Sequence, residues 1–457
     1  MTGPTVDPAR ATALRLLCCN ETDGDGLDEL FESLATGDGS DDGNDLDQRD
    51  RRFVRQLVAG VTKWRLHLDW ILQPHSRRPI DSLTPTVRHA LRLALFQIRW
   101  LDRVPARAAV HTAVELTKRI EHKGAASFVN AVLRSVSRAG EVEIIYPDRA
   151  QDPVGFLSVY HSHPRWLVKR WLTRWGLEQT EALLQANNLQ PALYAQRNPL
   201  RADHDQFMAG LPAGAHPRQI DDTTYEVTTP EGFFESPIFT QGGAYVQDVA
   251  AARPVQLLAP VAGERILDLC AAPGGKSIQT AIACGDDVRL VACDRSPARL
   301  RRLCESRQRL GLRSIQCIGA DGDHLPLQLV ADGRDQGWFD RVLLDAPCSG
   351  TGVLRRHADA RWNKRPKDLK GQGQRQLGLL RAAFRALRPG GTLVYSTCSL
   401  EQEENDDVVD AFLASEPAAQ LATDTPEPAA RFHLNLPGRD EGDGSFSARL
   451  QKMPTPC

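Results

Sequence analysis

From Gln241 to the C-terminus, short apolar runs of strand length alternate with segments of helical length. Regular alternation of this kind places the strands parallel in one sheet and the helices on its two faces. The second half of the chain is therefore predicted to be an α/β domain with a doubly wound, Rossmann-like sheet. Its candidate strands are 265–269, 288–293, 315–318, 341–344 and 392–395.

The first third of the chain differs, because its apolar residues between 7 and 140 recur at helical spacing. After Thr84-Pro85, which is typical of a helix start, Val87, Leu91 and Ile98 fall on one helical face. Three domains are therefore predicted. They are an all-α domain over 1–145 with an acidic loop at about 21–50, a small α+β domain over 146–240, and the α/β domain over 241–457.

The net charge of −2 conceals an asymmetry, because residues 21–50 carry −11 and the rest of the chain carries +9. A mildly basic body fits a nucleic-acid partner. No apolar run approaches the ~18 residues of a membrane-spanning helix, and the N-terminus lacks a secretory signal. The ten cysteines form no regular framework, and His161 and His163 lack further ligand-type residues at metal-binding spacing. We therefore expect reduced thiols, a cytoplasmic location, no membrane partner and no metal.

The first turn of the predicted sheet, 268–277, is built from small residues that let a ligand approach the backbone. The helix that follows can hold a polar or anionic group at its N-terminus. Gly275-Lys276-Ser277 resembles the end of a phosphate-binding loop, but that loop requires glycine where Cys270 stands. Pro273 also removes a backbone donor. A nucleoside triphosphatase is therefore disfavoured.

Three aspartates follow successive predicted strands of the sheet. Asp294 lies 20 residues after Gly274, where an acid typically accepts hydrogen bonds from ribose hydroxyls. Asp321 is placed to read an adenine amino group, and Asp345 ends the next strand. An adenosine-containing ligand without a pyrophosphate cradle points to S-adenosylmethionine as the cofactor.

Two cysteines lie at the same sheet edge as these acids. Cys348 follows the fourth predicted strand in the segment 345–350, and Cys398 follows the fifth in 395–399. A lone cysteine is more often an inert packed residue. The shared location at the ligand-binding edge nevertheless makes this pair a candidate for chemistry.

The segments 345–349 and 396–399 resemble the two-cysteine signatures of the RNA (cytosine-5) methyltransferases, and 267–276 resembles their cofactor motif. The helical residues 7–140 are similar to a NusB-like RNA-binding domain, and 160–240 to the small domain that precedes catalysis in this family. The NusB-like domain implies the bacterial branch of the family that modifies 16S rRNA.

The resemblance implies that Cys398 is the nucleophile, that Cys348 serves release of the adduct, and that Asp345 contacts the cytosine edge. It also implies a monomer whose partner is 16S rRNA, naked or partly assembled. Two alternatives stay open: the same chemistry on transfer RNA, and a non-catalytic RNA-binding or assembly factor. The residues expected to bind S-adenosylmethionine are Cys270, Ala271, Ala272, Pro273, Gly274, Gly275, Lys276, Asp294, Asp321 and Asp345.

The segment 355–381 holds nine basic and two acidic residues directly after the Cys348 motif. This position favours a groove that tracks RNA phosphates, with marked salt dependence. Trp362 within it is predicted either to stack on a base or to pack in the core.

Overall fold

The computed structural model describes residues 7–22, 26–36, 46–139, 144–228, 231–325, 337–422 and 431–454. The chain divides into two compact units. One comprises residues 1–189 together with 354–363, and the other comprises 190–353 together with 364–457. The predicted domain boundaries at 145 and 240 stay predictions.

The first unit is helical, as predicted from the apolar spacing. Pro85 occupies the first turn of the helix that the Thr84-Pro85 signal predicts, and Leu91 and Leu95 of that helix are fully buried. The helices are α1 (Pro8–Thr22), α2 (Leu27–Thr36), α3 (Gln48–Lys63), α4 (Arg65–Leu72), α5 (Pro85–Trp100), α6 (Ala106–Ile120), α7 (Lys123–Ala139), α8 (Pro153–Tyr160) and α9 (Arg165–Asn188).

The acidic stretch 21–50 is not a loop throughout, which corrects the prediction. It contains the whole of α2, whose leucines pack on the helical core, and the start of α3. Glu21, the first residue of the stretch, lies on α1. Its carboxyl group lies 2.5 Å from Arg88 and 2.6 Å from His89. Residues 23–25 and 37–45 lie outside the described residues.

The second unit begins with a small antiparallel sheet in the order β2-β3-β1-β4. Phe207 of the intervening helix α10 (His204–Ala209) stacks on Tyr225 at 4.4 Å between ring centroids, which closes one face of the sheet. The strands are β1 (Leu193–Arg197), β2 (His216–Gln219), β3 (Thr224–Thr228) and β4 (Ala244–Val246).

The remainder of this unit forms the predicted Rossmann-like sheet, with strand order β10-β12-β9-β8-β5-β6-β7. Strands β5 to β9 run parallel, and the C-terminal strand β12 pairs antiparallel with β9. The five predicted strands are β5 (Arg265–Leu269), β6 (Arg289–Asp294), β7 (Ile315–Gly319), β8 (Phe339–Asp345) and β9 (Leu387–Thr397); sequence reasoning missed β10 (Ala419–Leu421), β11 (His433–Asn435) and β12 (Ser445–Lys452).

The strand order reverses between β5 and β8, because β6 and β7 extend the sheet on one side and β9 extends it on the other. Ligands of such sheets bind beyond the carboxyl ends of the strands at this reversal. The covering helices are α11 (Pro237–Thr240), α12 (Val249–Leu258), α13 (Gly275–Ala283), α14 (Pro297–Leu310), α15 (Pro366–Ala386) and α16 (Asp406–Ser415). Within the described ranges, no helix is long and apolar enough to cross a membrane.

Candidate active site

The turn between β5 and α13 is compact because two of its residues adopt left-handed backbone conformations. Cys270 has φ +67°, and Gly274, which caps α13, has φ +111°. A Cβ atom on Gly274 would lie 2.2 Å from the Leu303 side chain, so only glycine fits between this turn and α14. Gly274 therefore allows the predicted cofactor turn to lie close to α14.

Asp268, near the end of β5, is a buried acid that sequence reasoning did not single out. Ser277 at the start of α13 donates its hydroxyl to Oδ2 of Asp268 at 2.5 Å, which ties the strand to the helix. Burial raises the pKa of Asp268 to about 7; the Ser277 hydrogen bond opposes this rise and the Asp345 charge adds to it.

The cofactor aspartates after β6 and β7 converge on one cavity. Asp294 accepts the backbone N–H groups of Ala272 at 3.1 Å and Ser296 at 2.9 Å, so its position is fixed by the turn it faces. Asp321 is more exposed and caps the next helical turn by accepting the Asp323 N–H at 3.3 Å. The cavity is lined by Cys270, Cys293, Asp294, Arg295, Arg299, Ala320, Asp321, Gly322, Pro347, Arg375 and Leu379.

Of the predicted cofactor residues, Cys270, Asp294 and Asp321 thus line the cavity together. Lys276 and Asp345 instead pair with each other. The remaining predicted turn residues do not line the cavity: Ala271, Ala272, Pro273, Gly274 and Gly275. Arg299 and Arg375 line the cavity and were not predicted. Arg299 donates to the carbonyl of Ala272, so α14 is bound to the same turn.

The Lys276 ammonium lies 2.6 Å from Oδ2 of Asp345, and the Ser396 hydroxyl donates to Oδ1 of Asp345 at 2.8 Å. Burial alone would lower the pKa of Lys276, but the charge and hydrogen bond of Asp345 outweigh burial and raise it, with a smaller contribution from Cys398. Lys276 therefore stays charged, and the Asp345 carboxyl group is held between two donors.

The Sγ atoms of Cys348 and Cys398 lie 3.0 Å apart, which is closer than a shared sheet edge alone predicts. Both cysteines are partly exposed, whereas Ser349 and Ser399, the residues that follow them, are buried. Contact with Cys398 raises the pKa of Cys348 well above its usual value, and burial and the charges of Cys398 and Glu404 raise it further. Cys348 therefore holds its proton more tightly than an ordinary cysteine does. Among the described residues, no group of three His, Cys, Asp or Glu side chains is arranged to hold a metal.

The predicted phosphate-tracking groove at 355–381 is wrong for Arg361, and of the two alternatives predicted for Trp362 the structure favours packing. Arg361 is buried in the helical unit, where its guanidinium donates to the Ser162 carbonyl at 3.1 Å and to Oδ1 of Asn188 at 3.0 Å. Trp362 donates its indole N–H to the Thr62 carbonyl at 2.7 Å. Burial lowers the pKa of Arg361 to about 9. These side chains bind backbone carbonyls rather than facing solvent.

Comparison with known families agrees with this arrangement. The model of the family 16S rRNA methyltransferase RsmB/F matches residues 255–451, that of the NusB family matches 7–138, and that of the RsmF/B-like ferredoxin-like domain matches 163–219. A probable ribosomal RNA small subunit methyltransferase B from Bacillus subtilis (strain 168) is 34% identical over 420 residues, which covers 90% of this chain and 92% of the relative. The chain belongs to the RsmB/F family.

A second RsmB/F relative, ribosomal RNA small subunit methyltransferase B from Klebsiella pneumoniae (strain 342), is 36% identical over 413 residues and covers 89% of this chain and 91% of the relative. The crystal structure of PH0851 shares the fold, with a TM-score of 0.78, 22% identity and coverage of 99% and 100% of the two chains. The predicted NusB-like and Rossmann-like domains are confirmed, and the predicted small α+β domain is ferredoxin-like. As a family member the protein is an S-adenosylmethionine-dependent rRNA methyltransferase.

Proposed function

We propose that the protein transfers a methyl group from S-adenosylmethionine to C5 of a cytosine in 16S rRNA, through a covalent bond between Cys398 and C6. The observation that carries this proposal is the 3.0 Å separation of the Cys348 and Cys398 thiols beside Asp345. Two thiols that are in contact and partly exposed can supply a nucleophile and a proton-transfer group at one point.

Cytosine C5 is a poor nucleophile, and addition of the Cys398 thiolate at C6 corrects this. The new S–C6 bond breaks the C5=C6 double bond and places its electron pair on C5. S-adenosylmethionine supplies the methyl group when bound, held by the cavity that Cys270, Asp294 and Asp321 line. Asp345, fixed by Lys276 and Ser396, is placed to accept a hydrogen bond from the cytosine edge and stabilise the activated ring.

Release requires that the C5 proton leave before the enzyme can separate from the base. We assign this proton to Cys348 in its thiolate form. The C5–H electron pair then re-forms C5=C6, and the S–C6 bond breaks to return the Cys398 thiolate. The order of events follows from the contact between the thiols, because the adduct turns Cys398 into a neutral thioether. That change removes the largest cause of the raised pKa of Cys348, so Cys348 ionises more readily once the adduct exists.

The proposed substrate rests on the relatives, which are named as ribosomal RNA small subunit methyltransferases. The target cytosine must be single-stranded or flipped out of its helix to reach a thiol at the sheet edge. Exposed bases at the start of α15, which follows the Cys348 motif, are available to RNA phosphates: Arg365, Lys367 and Lys370.

The experiment is methyl transfer followed by nucleoside analysis. Purified protein is incubated with labelled S-adenosylmethionine and unmodified 16S rRNA, supplied naked or in small subunits, with transfer RNA as the comparison. We expect 5-methylcytosine in 16S rRNA alone, lost in Cys398→Ala and retained in the control Cys304→Ala. Label in transfer RNA would overturn the substrate, label in another nucleoside would overturn the chemistry, and cofactor binding without any transfer would indicate a binding factor.

A further inference from the structure

The residues that follow the two cysteines share one carboxyl group. Ser349 and Ser399 both donate their hydroxyls to Oε2 of Glu404, and the two hydroxyl oxygens lie 3.1 Å apart. The backbone N–H of Ser349 donates to Oε1 of Glu404 at 2.7 Å. One side chain therefore binds the loop after β8 and the loop after β9 at the same time.

Glu404 itself is fixed from a third direction. Its side chain is fully buried in a helical turn that precedes α16, and Gln376 of α15 donates its amide to Oε1 at 3.2 Å. The same amide donates to the Pro347 carbonyl at 3.0 Å, next to Cys348. In the described part of the chain, no Lys, Arg or His side chain forms an ion pair with Glu404. Its carboxyl group is compensated by four hydrogen bonds instead.

We infer that Glu404 is a positioning residue for the reaction: by binding Ser349 and Ser399, it holds the Cys348 and Cys398 thiols in contact. Among the described residues the Glu404 carboxyl group forms no hydrogen bond to either thiol and does not line the cofactor cavity, so beyond its charge on Cys348 it acts through the two serines. The inference deepens the proposed function, on which its catalytic meaning rests. Without this carboxyl group the loops after β8 and β9 lose the bridge between the residues that follow Cys348 and Cys398.

Two substitutions separate the bridge from the charge. Glu404→Ala removes the acceptor of four hydrogen bonds and disconnects the loops. Glu404→Gln keeps both links, because its carbonyl oxygen accepts from Ser349 and Gln376 while its amide donates to the serine hydroxyls, which are able to accept. The bridge therefore predicts rescue by glutamine. Glu403→Ala, in the same helical turn, is the matched control for loss of a carboxylate.

Thiol contact is measured without any methyl transfer. Diamide takes two hydrogens from a pair of thiols, leaving a disulfide and the corresponding hydrazine, so the rate at which peptides containing Cys348 and Cys398 become linked reports their proximity. We expect linkage in Glu404→Ala to be at least about tenfold slower than in the wild type, and within about threefold in Glu404→Gln and Glu403→Ala. Melting temperature and S-adenosylmethionine affinity are measured for each variant. Should Glu404→Ala fail to fold, the double variant Ser349→Ala/Ser399→Ala removes the bridge from the other side and is expected to slow linkage equally.

Turnover supplies the catalytic readout. We expect Glu404→Ala to lower kcat about 100-fold with KM for RNA and cofactor nearly unchanged, and Glu404→Gln to recover kcat to within about tenfold of the wild type. Unchanged thiol linkage in folded Glu404→Ala, or in the folded double variant, would overturn the inference. If the wild type itself transfers no methyl group, the proposed function fails, and the linkage rates still decide whether Glu404 holds the thiols together.

Discussion

The Lys276 ammonium lies 2.6 Å from Oδ2 of Asp345, which links the turn after β5 to the turn after β8. These two strands are neighbours at the point where the strand order reverses. Ser396, near the end of β9, donates to the other oxygen of Asp345. The carboxyl group at the end of β8 therefore binds side chains from the start of α13 and from the end of β9. The acid proposed to contact cytosine is thus held in place before RNA arrives, as preorganised electrostatic stabilisation requires.

Lys276→Met tests this link. Methionine keeps an apolar stem of similar length but leaves Asp345 without its cationic partner. We expect formation of the RNA adduct to slow by about 10- to 100-fold, because a group that stabilises the activated ring is no longer held in position. Single-turnover measurement of adduct formation gives the rate, and Lys169→Met, an exposed lysine of α9, serves as the control. An unchanged rate with unchanged cofactor affinity would show that the pairing of Lys276 with Asp345 is not needed for adduct formation.

The raised pKa of Asp268 predicts an unusual pH dependence of the protein's stability. Its pKa of about 7 in the folded protein lies above the ordinary value of 3.8, so the folded state binds this proton more tightly than the unfolded state does. The contribution of Asp268 to stability is therefore complete below about pH 4 and is lost as the pH rises to 7.

Asp268→Asn has no such titration. Its unfolding free energy relative to the wild type should increase by on the order of 2 kcal/mol between pH 5 and pH 7 and level off above pH 7. Thermal unfolding of both proteins across this range measures the difference, which also cancels the titration of other groups. A difference independent of pH would show that Asp268 is ionised in the folded protein throughout.

The burial of Arg361 predicts a large loss of stability when its side chain is truncated to alanine. Its guanidinium satisfies carbonyl groups from two separate parts of the helical unit, at Ser162 and Asn187, which Arg361→Ala leaves without donors. We expect destabilisation by about 3 kcal/mol or more, seen as a lower melting temperature of the helical unit. Exposed Lys367→Ala should leave the melting temperature unchanged. Equal melting temperatures for both variants would contradict the burial of Arg361.

For Lys367 and Lys370 we expect an effect on RNA binding, because both are exposed at the start of α15. Replacing both with alanine should weaken RNA binding without changing the modified nucleoside. The slope of log affinity against log salt concentration should become shallower by about 0.7–0.9 per lysine that contacts a phosphate. Titration of labelled 16S rRNA at several salt concentrations measures this slope, and a slope equal to that of the wild type would place the RNA elsewhere.

The parallel strands were predictable from the sequence because each is a short apolar run with a local signature. The observed β5 has the predicted bounds, and β6, β7 and β8 differ from the prediction by one or two residues at one or both ends. Strand β9 begins five residues earlier than predicted and ends two residues later. Strand β12 was missed because its partner is distant in sequence: Phe446 pairs with Thr397 across nearly 50 residues. Local patterning does not encode such pairing.

The candidate site was likewise predictable from the sequence only in part. Topology alone places Cys348 and Cys398 at one sheet edge, and the structure confirms their contact. Glu404 was not predictable, because its importance lies in hydrogen bonds to residues that only the fold brings near. Arg361 was misread for the related reason that a charge pattern does not distinguish a solvated cation from one buried against carbonyl groups.

The most direct test of the central claim is the site of the covalent bond in Cys348→Ala. This variant is incubated with S-adenosylmethionine and 16S rRNA, the RNA is digested, and the peptide that retains a nucleotide is located by mass spectrometry. The account predicts a stable adduct on Cys398 that carries a methylated cytosine, because the proton-accepting thiol needed for release is missing, and no adduct in Cys348→Ala/Cys398→Ala. An adduct on another residue, or complete turnover by Cys348→Ala without any adduct, would contradict it.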